Sequence, residues 1–312
     1  MLKFDHVSKV YKVGTFGGQE LRAVNDVSFE VPDGEVVSLI GESGSGKSTI
    51  GRMILQLISI SSGAISFDDT DISTLKPGAR KEYFRKVQGV FQDPFSSYNP
   101  IFKADRIFKI LKDEFFPHTS QADWNKQVRE ALAAGGLNPE HVLNKFPHQL
   151  SGGQLQRLLI ARALLLNIRF LVADEIISML DASTRIDVLN LLADLKTRGL
   201  AILFITHDLS LANYISEKAI ILYRGCVAEM GVTEKVFQNP QHPYTRMLMA
   251  SIPRLDRKWA TGDTTLKAEP ARTSGCVYYD RCPVHFEKCL QAPPPVEIAP
   301  DHQVACWQVT AA

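Results

Sequence analysis

Short apolar runs alternate with amphipathic segments over residues 1–250. Apolar runs of about four to eight residues indicate strands buried on both faces, and apolar residues that recur every three or four positions indicate helices. The predicted strands are 36–40, 64–67, 87–91, 169–173, 200–205, 218–223 and 226–230. The predicted helices are 47–58, a helical stretch over 102–143, 153–166, 183–197 and 209–215. This alternation predicts an α/β fold with a largely parallel sheet that is covered on both faces.

The character of the sequence changes after about residue 250, where periodicity is weak and cysteine and proline are frequent. A loop-rich segment of this length buries too little apolar surface to fold alone, so it needs a covalent or metal link or a host surface. The predicted domains are therefore 1–250, with a helical subdomain inserted at about 100–165, and a C-terminal extension at 251–312.

Charge and hydropathy exclude several classes of protein. The 312 residues include 35 basic and 34 acidic side chains, which leaves a formal net charge of +1. Proteins that bind nucleic acid through charge normally carry a clear basic excess, so no nucleic-acid partner is expected. The sequence contains no apolar run of about 18 residues and does not begin like a signal peptide, so we expect a cytoplasmic chain.

Residues 41–48 read GESGSGKS, directly after the predicted strand 36–40 and before a predicted helix. The spacing G-x-x-x-x-G-K-[ST] in this context predicts a phosphate-binding loop, because glycines let backbone N–H groups wrap around phosphate. Lys47 is predicted to reach the β- and γ-phosphates, and the Ser48 hydroxyl to bind Mg²⁺. The predicted nucleotide-binding residues of this segment are Gly41, Ser43, Gly44, Ser45, Gly46, Lys47, Ser48 and Thr49.

A second candidate element is the apolar run FLVADE at 170–175, which ends in two carboxylates. Asp174, at the carboxyl end of the predicted strand, is placed to hold Mg²⁺ directly or through water. Glu175 is then available to orient or deprotonate an attacking water.

Between these motifs, residues 150–157 read LSGGQLQR, the signature of ATP-binding-cassette ATPases, and the chain resembles that family. Ser151 can cap the helix that follows, and the helix N-terminus offers a second anion site. The resemblance implies an ABC-type core that hydrolyses ATP with Mg²⁺. It also implies that two cassettes meet head to tail, so that Ser151, Gly153 and Gln154 of one cover the ATP in the other.

Further family elements follow in order along the chain. Gln92 matches the loop glutamine that contacts Mg²⁺ and water, and His207 matches the switch histidine that reaches the γ-phosphate. Asp181 lies in a segment that resembles the D-loop of the dimer interface, and Tyr11 resembles the aromatic residue that stacks on adenine. Ile176 stands where the family usually has a proline with its fixed φ, so a weakly hydrolysing regulatory protein is an alternative.

The sequence near the C-terminus indicates which group within the family the chain resembles. Residues 241–245 read QHPYT, which is similar to the start of the C-terminal extension in oligopeptide and dipeptide importer ATPases. The likeness covers essentially the whole chain and implies peptide import, with nickel or oligosaccharides as alternative cargoes. A soluble cassette ATPase of translation or DNA repair is disfavoured, because those proteins usually carry two cassettes or a long coiled coil.

Four of the five cysteines, Cys276, Cys282, Cys289 and Cys306, lie together in the extension. Clustered cysteines in a cytoplasmic chain suggest metal or redox chemistry before disulfides. The spacing C-x5-C-x6-C-x16-C lacks the C-x2-C pair of common zinc sites, whereas four thiolates can hold a [4Fe–4S] cluster, as some members of the family are thought to do. An iron–sulfur cluster is predicted, with zinc, unliganded thiols or disulfides as alternatives.

The resemblance also implies partners. These are a second ABC ATPase subunit, non-identical by family habit, two transmembrane permease subunits and an extracytoplasmic substrate-binding protein. The permeases would dock near Gln92 and the helical insert at 102–143. The chain is thus expected at the cytoplasmic face of the cell membrane, held there by the permease subunits.

Overall fold

The computed structural model describes residues 1–13, 18–252 and 274–309. Its strands are β1 (Leu2–Val13), β2 (Gln19–Val31), β3 (Val36–Ile40), β4 (Ser62–Phe67), β5 (Thr70–Asp71), β6 (Val87–Val90), β7 (Phe170–Asp174), β8 (Ala201–Thr206), β9 (Lys218–Tyr223), β10 (Cys226–Val232), β11 (Val296–Ala299) and β12 (His302–Val304). Its α-helices are α1 (Lys47–Ile54), α2 (Pro77–Lys86), α3 (Arg106–Phe115), α4 (Gln121–Ala134), α5 (Pro139–Val142), α6 (Gly152–Leu164), α7 (Ala182–Thr197), α8 (Leu209–Ile215), α9 (Thr233–Gln238) and α10 (Pro243–Ala250).

The larger sheet has the strand order β11-β12-β10-β9-β3-β8-β7-β6. Strands β9, β3, β8, β7 and β6 run parallel to one another, as the apolar runs predict. Alternate residues of these strands enter two separate cores. Leu171 and Phe204 pack with the helices on one face, whereas Val172 and Ile205 pack with α1 on the other. The α/β prediction with a central parallel sheet is confirmed.

A smaller antiparallel sheet, β2-β1-β4-β5, packs over the α1 face. The stacked rings of Phe4 and Phe29, 4.5 Å apart, join its two longest strands. Strands β1 and β2 were not predicted from the apolar runs, because one face of this sheet is solvated and its strands alternate polar and apolar residues. The predicted strand 64–67 is present as β4, in this sheet and outside the parallel one.

The helical insert consists of α3, α4 and α5, followed by α6, which runs back to the sheet. Trp124 and Leu132 of α4 are buried in the same core as Leu155 and Leu158 of α6. The Gln156 side-chain amide donates to the carbonyl of Phe91 at 3.1 Å, which ties α6 to the end of β6. The helix that begins with the signature motif is therefore anchored to the edge of the sheet.

The extension was expected to be irregular, but its described part, residues 274–309, contains β11 and β12, which continue the larger sheet. Val304 pairs with Glu229 of β10, and Val296 pairs with Val304. Residues 253–273, which follow the predicted boundary between residues 250 and 251, lie outside the described residues. The correction has a physical reason: backbone pairing with an existing edge strand orders a segment that has no core of its own.

Candidate active site

Residues 41–46 form a tight loop between β3 and α1, and Lys47 and Ser48 begin the helix. The Lys47 ammonium is buried and donates to the carbonyls of Gly41 at 2.8 Å and Glu42 at 2.9 Å. Gly46 has φ +104, and a Cβ there would lie 2.3 Å from the carbonyl oxygen of Ala23, so only glycine fits. Burial lowers the pKa of Lys47, and the nearby acidic side chains oppose this. The loop therefore holds a cation against its own backbone.

The same loop offers polar groups for an anionic ligand. Ser45 Oγ is buried and has no hydrogen-bond partner within the described ranges. Ser43 and Gly44 are exposed, and Thr49 is half-buried in the first turn of α1. An orphaned hydroxyl, a buried ammonium and a helix N-terminus together fit a nucleotide phosphate.

The carboxyl ends of four parallel strands lie at one edge of the larger sheet. The register pairs Ile40 with Thr206 and Val90 with Ala173, so β3, β8, β7 and β6 end side by side. The predicted site residues that end or follow three of these strands are Gln92, Asp174, Glu175 and His207. The topology thus brings these four residues to the edge where the phosphate loop begins.

A pair of oxygen ligands lies beside the loop. Ser48 Oγ donates to Asp174 Oδ1 at 3.3 Å, and Asp174 is buried. Burial raises the pKa of Asp174, while the Ser48 hydrogen bond and Lys47 act in the opposite direction. One hydroxyl and one carboxylate fit Mg²⁺, which takes few protein ligands and completes its shell with water and phosphate oxygens.

Glu175 adopts a left-handed backbone, with φ +50, and its N–H donates to the carbonyl of Ile205 at 2.9 Å. Its Oε1 lies 3.3 Å from Nδ1 of His207, whose side chain is largely exposed. The carboxylate and the imidazole therefore face the same solvent-accessible space. Ile176, which departs from the family pattern, and its neighbour Ile177 are both buried in the main core, so packing fixes the segment where a proline would otherwise do so.

The signature motif begins α6 with reciprocal hydrogen bonds. The N–H of Gln154 donates to Ser151 Oγ at 3.2 Å, and the N–H of Ser151 donates to Gln154 Oε1 at 2.9 Å. A Cβ on Gly153 would lie 2.6 Å from Cγ2 of Thr184, so glycine permits close packing against α7. Ser151 is exposed, which leaves this helix N-terminus open to another molecule.

Asp181 and Tyr11 lie on different elements. Asp181 caps α7, accepting from the Ser183 hydroxyl at 2.6 Å and from the Thr184 N–H at 3.0 Å. These hydrogen bonds, the one from Ser183 first, hold the pKa of Asp181 well below its usual range. Tyr11 lies in β1 opposite Leu21, with the Lys9 ammonium 5.1 Å from its ring centre. The adenine contact predicted for Tyr11 stays a prediction.

The four clustered cysteines are free thiols. They line one small cavity together with side chains that include His242, Tyr278 and Trp307. Burial raises the pKa of Cys276 to about 11, and it also raises those of Cys282 and Cys306. Across the described ranges, no group of three or more His, Cys, Asp or Glu side chains is arranged to hold a metal ion. The thiols share a cavity without forming a metal site in this structure.

Sequence reasoning missed a contact between the tail and the loop. The Tyr244 hydroxyl accepts from the N–H of Glu42 at 3.0 Å, and the guanidinium of Arg281 binds the Glu42 carboxylate. The segment QHPYT, noted above only as a family marker, could have pointed to this role for Tyr244. No local pattern marks Arg281.

Comparisons with known proteins decide the family. A family described as ABC transporter matches residues 24–178, and one described as Oligopeptide/dipeptide transporter, C-terminal region, matches residues 228–289. A putative peptide import ATP-binding protein of Brucella ovis is 42% identical and aligns over 92% of this chain and 92% of its own length. The chain belongs to the ABC transporter family. It is an ABC ATPase that carries the C-terminal region of the oligopeptide/dipeptide group, so the resemblance inferred from the motifs is confirmed.

Further relatives agree with this assignment. The oligopeptide transport ATP-binding protein AppF of Bacillus subtilis is 39% identical over 92% of this chain and 89% of its own length. The corresponding protein OppF of Salmonella typhimurium is 35% identical over 93% and 88%. A solved dimeric, post-hydrolysis structure of the ATP-binding cassette MJ0796 with ADP and Pi has 31% identity and a TM-score of 0.67, and it covers 75% of this chain and 99% of that one.

Proposed function

We propose that this ABC ATPase powers the import of dipeptides or oligopeptides. The observation that carries the proposal is the edge of the larger sheet, where a phosphate loop, a hydroxyl–carboxylate pair and a Glu–His pair meet in a chain that also has the oligopeptide-type C-terminal region. The cargo class rests on the names of the relatives, which are peptide and oligopeptide transport ATP-binding proteins.

The residues at this edge support a division of labour. Lys47 would supply positive charge to the β- and γ-phosphates of ATP, and Ser48, Asp174 and Gln92 would hold Mg²⁺. The metal neutralises charge on the phosphate oxygens when it is bound. Glu175 accepts a proton from the attacking water, and His207, 3.3 Å from that carboxylate, orients toward the γ-phosphate.

A second cassette completes each site in this proposal. The exposed N-terminus of α6, with Ser151, Gly153 and Gln154, covers the ATP of the partner, and Asp181 lies at the interface between the two cassettes. The solved relative MJ0796 is described as dimeric, which supports this arrangement. The partner is a non-identical cassette.

The proposal places the protein at the cytoplasmic face of the membrane, on two permease subunits that work with an extracytoplasmic substrate-binding protein. In the parts that the structure describes, none of the helices combines the length and apolarity that a membrane span requires. The apolar side chains of Phe95, Ile101 and Phe102, which follow Gln92 in the sequence, are exposed, and exposed apolar surface can mark a contact with another protein. Their exposure supports docking of the permeases at this segment.

The test is ATP-driven uptake by the reconstituted transporter. The chain is co-expressed with the products of its neighbouring genes, and uptake of labelled dipeptides, longer peptides, nickel and oligosaccharides into proteoliposomes is compared. Peptide uptake that disappears with Lys47→Ala is expected. Uptake of nickel or an oligosaccharide instead would contradict the peptide assignment, and failure to co-purify with any permease would contradict transport.

We also propose that the four cysteines hold a [4Fe–4S] cluster, with zinc as the alternative. The support is that all four thiols line one cavity. Anaerobically purified protein should absorb near 400 nm, as iron–sulfur thiolates do. A colourless sample that contains zinc, or no metal, would contradict the cluster. Cysteine-to-serine variants of all four positions provide the matched control.

A further inference from the structure

Within the described ranges, the extension is hydrogen-bonded to the phosphate loop at Glu42. Arg281 donates from Nη1 to Glu42 Oε2 at 2.8 Å and from Nη2 to Oε1 at 3.0 Å, a two-pronged pair between residues 239 positions apart. The backbone of Glu42 is fixed as well, since its N–H donates to the Tyr244 hydroxyl and its carbonyl accepts from Lys47. Each polar group of Glu42 therefore has a hydrogen-bond partner. The carboxylate binds Arg281, the N–H donates to Tyr244, and the carbonyl accepts from Lys47.

The guanidinium of Arg281 is also held by contacts other than its pair with Glu42. The side chain lies 5.7 and 5.8 Å from the ring centres of Tyr223 and Tyr278, and it is only 24% exposed. Tyr278 is buried against Tyr223 and Tyr244. The turn that carries Arg281 is thus packed onto the cassette, and a planar guanidinium in such a position loses little freedom when it binds a carboxylate.

Glu42 is an unfavourable residue for a loop that receives a polyanion. Its carboxylate is near enough to Lys47 to influence the pKa of the lysine, together with Asp174 and Glu175. An unpaired carboxylate there would repel the phosphates and would compete for the Lys47 ammonium. The pair with Arg281 removes this charge from the loop, and it also raises the pKa of Arg281.

We propose that Arg281 is a positioning residue for the nucleotide site, which neutralises and orients Glu42 so that the phosphate loop accepts ATP. The C-terminal extension is therefore a working part of the ATP site. This inference rests on the proposed function, because it concerns how the same loop binds its nucleotide.

The test is a double-mutant cycle read as the dissociation constant for Mg²⁺–ATP, measured on the full chain by titration calorimetry. Arg281→Gln should weaken ATP binding by about five- to tenfold, because it leaves Glu42 charged and unpaired. In the Glu42→Gln background, the same Arg281→Gln change should have no further effect. Arg281→Lys should restore part of the affinity, since it returns the charge without the fork.

A purely structural role for Arg281 predicts different results. Loss of affinity by charge repulsion shrinks as the salt concentration rises, whereas loss through a loosened extension does not. Lys288→Gln is the matched control, because Lys288 lies over the Trp307 ring in the same extension and has no described contact with the loop. That variant should bind ATP as the unaltered chain does.

These measurements distinguish failure of the inference about Arg281 from failure of the proposed function. Equal weakening by Arg281→Gln with and without the Glu42→Gln change, or equal weakening by Lys288→Gln, would overturn the inference and leave the proposed function intact. Failure of the unaltered chain to bind ATP would instead contradict the proposed function itself.

Discussion

The nucleotide edge, which comprises the phosphate loop, the carboxyl ends of β3, β8, β7 and β6 and the start of α6, differs from the C-terminal extension in the range of the contacts that fix its turns. Around the nucleotide edge, the turns are fixed by hydrogen bonds between near neighbours, such as Lys47 with Gly41, six residues apart, and Ser151 with Gln154, three apart. The extension is attached by pairs that are far apart in the chain, such as His302 with Glu229, at a separation of 73 residues. Short-range contacts leave a motif in the sequence, whereas long-range contacts do not.

The largest expected effect lies in the chemistry of the nucleotide edge. Glu175→Gln keeps the size of the side chain but removes the base, so ATP turnover with the partner cassette should fall about 10²- to 10⁴-fold. ATP binding should persist, because the phosphate loop is unchanged. Phosphate release and nucleotide affinity are measured in parallel, with Glu234→Gln on the surface of α9 as the control. Turnover near the unaltered rate would show that another group activates the water.

The sequence predicts most of the nucleotide edge because β3, β7 and β8 are mostly apolar. The predicted strand 36–40 has the observed bounds of β3, and the predicted strands 169–173 and 200–205 are each shifted by one residue at both ends relative to β7 and β8. The helix predicted over 47–58 ends at Ile54, where Gln56 soon adopts φ +51 and breaks the helical path. That turn depends on tertiary contacts, which the apolar periodicity of the segment does not encode.

The extension could not be predicted in the same way. Strand β12 is three residues long and gains its order from β10, on the far side of the undescribed segment 253–273. Arg281 has no neighbours in the sequence that would mark it as a partner of Glu42. Its role becomes visible only when the fold brings the two together.

The second prediction concerns the hydrogen bonds of Glu229, which join β10 to the C-terminal extension. Glu229 is fully buried and accepts from the N–H groups of Gln241 and His242 at 2.9 Å and from His302 Nε2 at 2.7 Å. Glu229→Gln turns an amide donor toward these donors, which should cost about 3–5 kcal/mol of unfolding free energy. Urea unfolding measures this change in unfolding free energy, and Glu234→Gln at an exposed position is again the control.

An unfolding curve of the Glu229→Gln protein that overlays that of the control would mean that the junction contributes little to stability. Selective loss of the contacts of β12 is expected first, because this strand is attached to the cassette side of the sheet by its pairing with β10. Hydrogen exchange at the amides of β12 measures this loss. The helices of the insert should keep their protection.

The third prediction concerns how stability depends on pH through His242, whose N–H donates to Glu229. Burial lowers the pKa of His242 from 6.5 to about 4, and the charge of Arg246 adds to this. Below pH 6.5 the unfolded chain binds a proton that the folded chain does not, so stability falls as the pH drops from about 6.5 to about 4. The slope is about 1.4 kcal/mol per pH unit at most, and the whole contribution is about 3 kcal/mol or less.

His242→Asn separates this titration from the others. Asparagine keeps an acceptor for the Tyr244 N–H, which His242 Nδ1 binds at 3.0 Å, but it does not titrate. The unfolding free energy of this variant should therefore depend less on pH between 4 and 6.5 than that of the unaltered chain, as measured by urea unfolding across the range. Parallel curves would show that His242 is not the group that responds.

The smallest effect should come from a short-range contact. Ser151→Ala removes the cap of α6 and should cost about 1 kcal/mol, like Ser120→Ala, which removes the matching cap of α4. The two variants should therefore unfold alike in urea. They should differ in ATP turnover with the partner cassette, which should fall for Ser151→Ala alone, because only this serine is proposed to cover a nucleotide. Equal turnover in both variants would show that Ser151 acts as a helix cap and not as a nucleotide contact. The difference between the two regions would then depend on the long-range contacts of the extension.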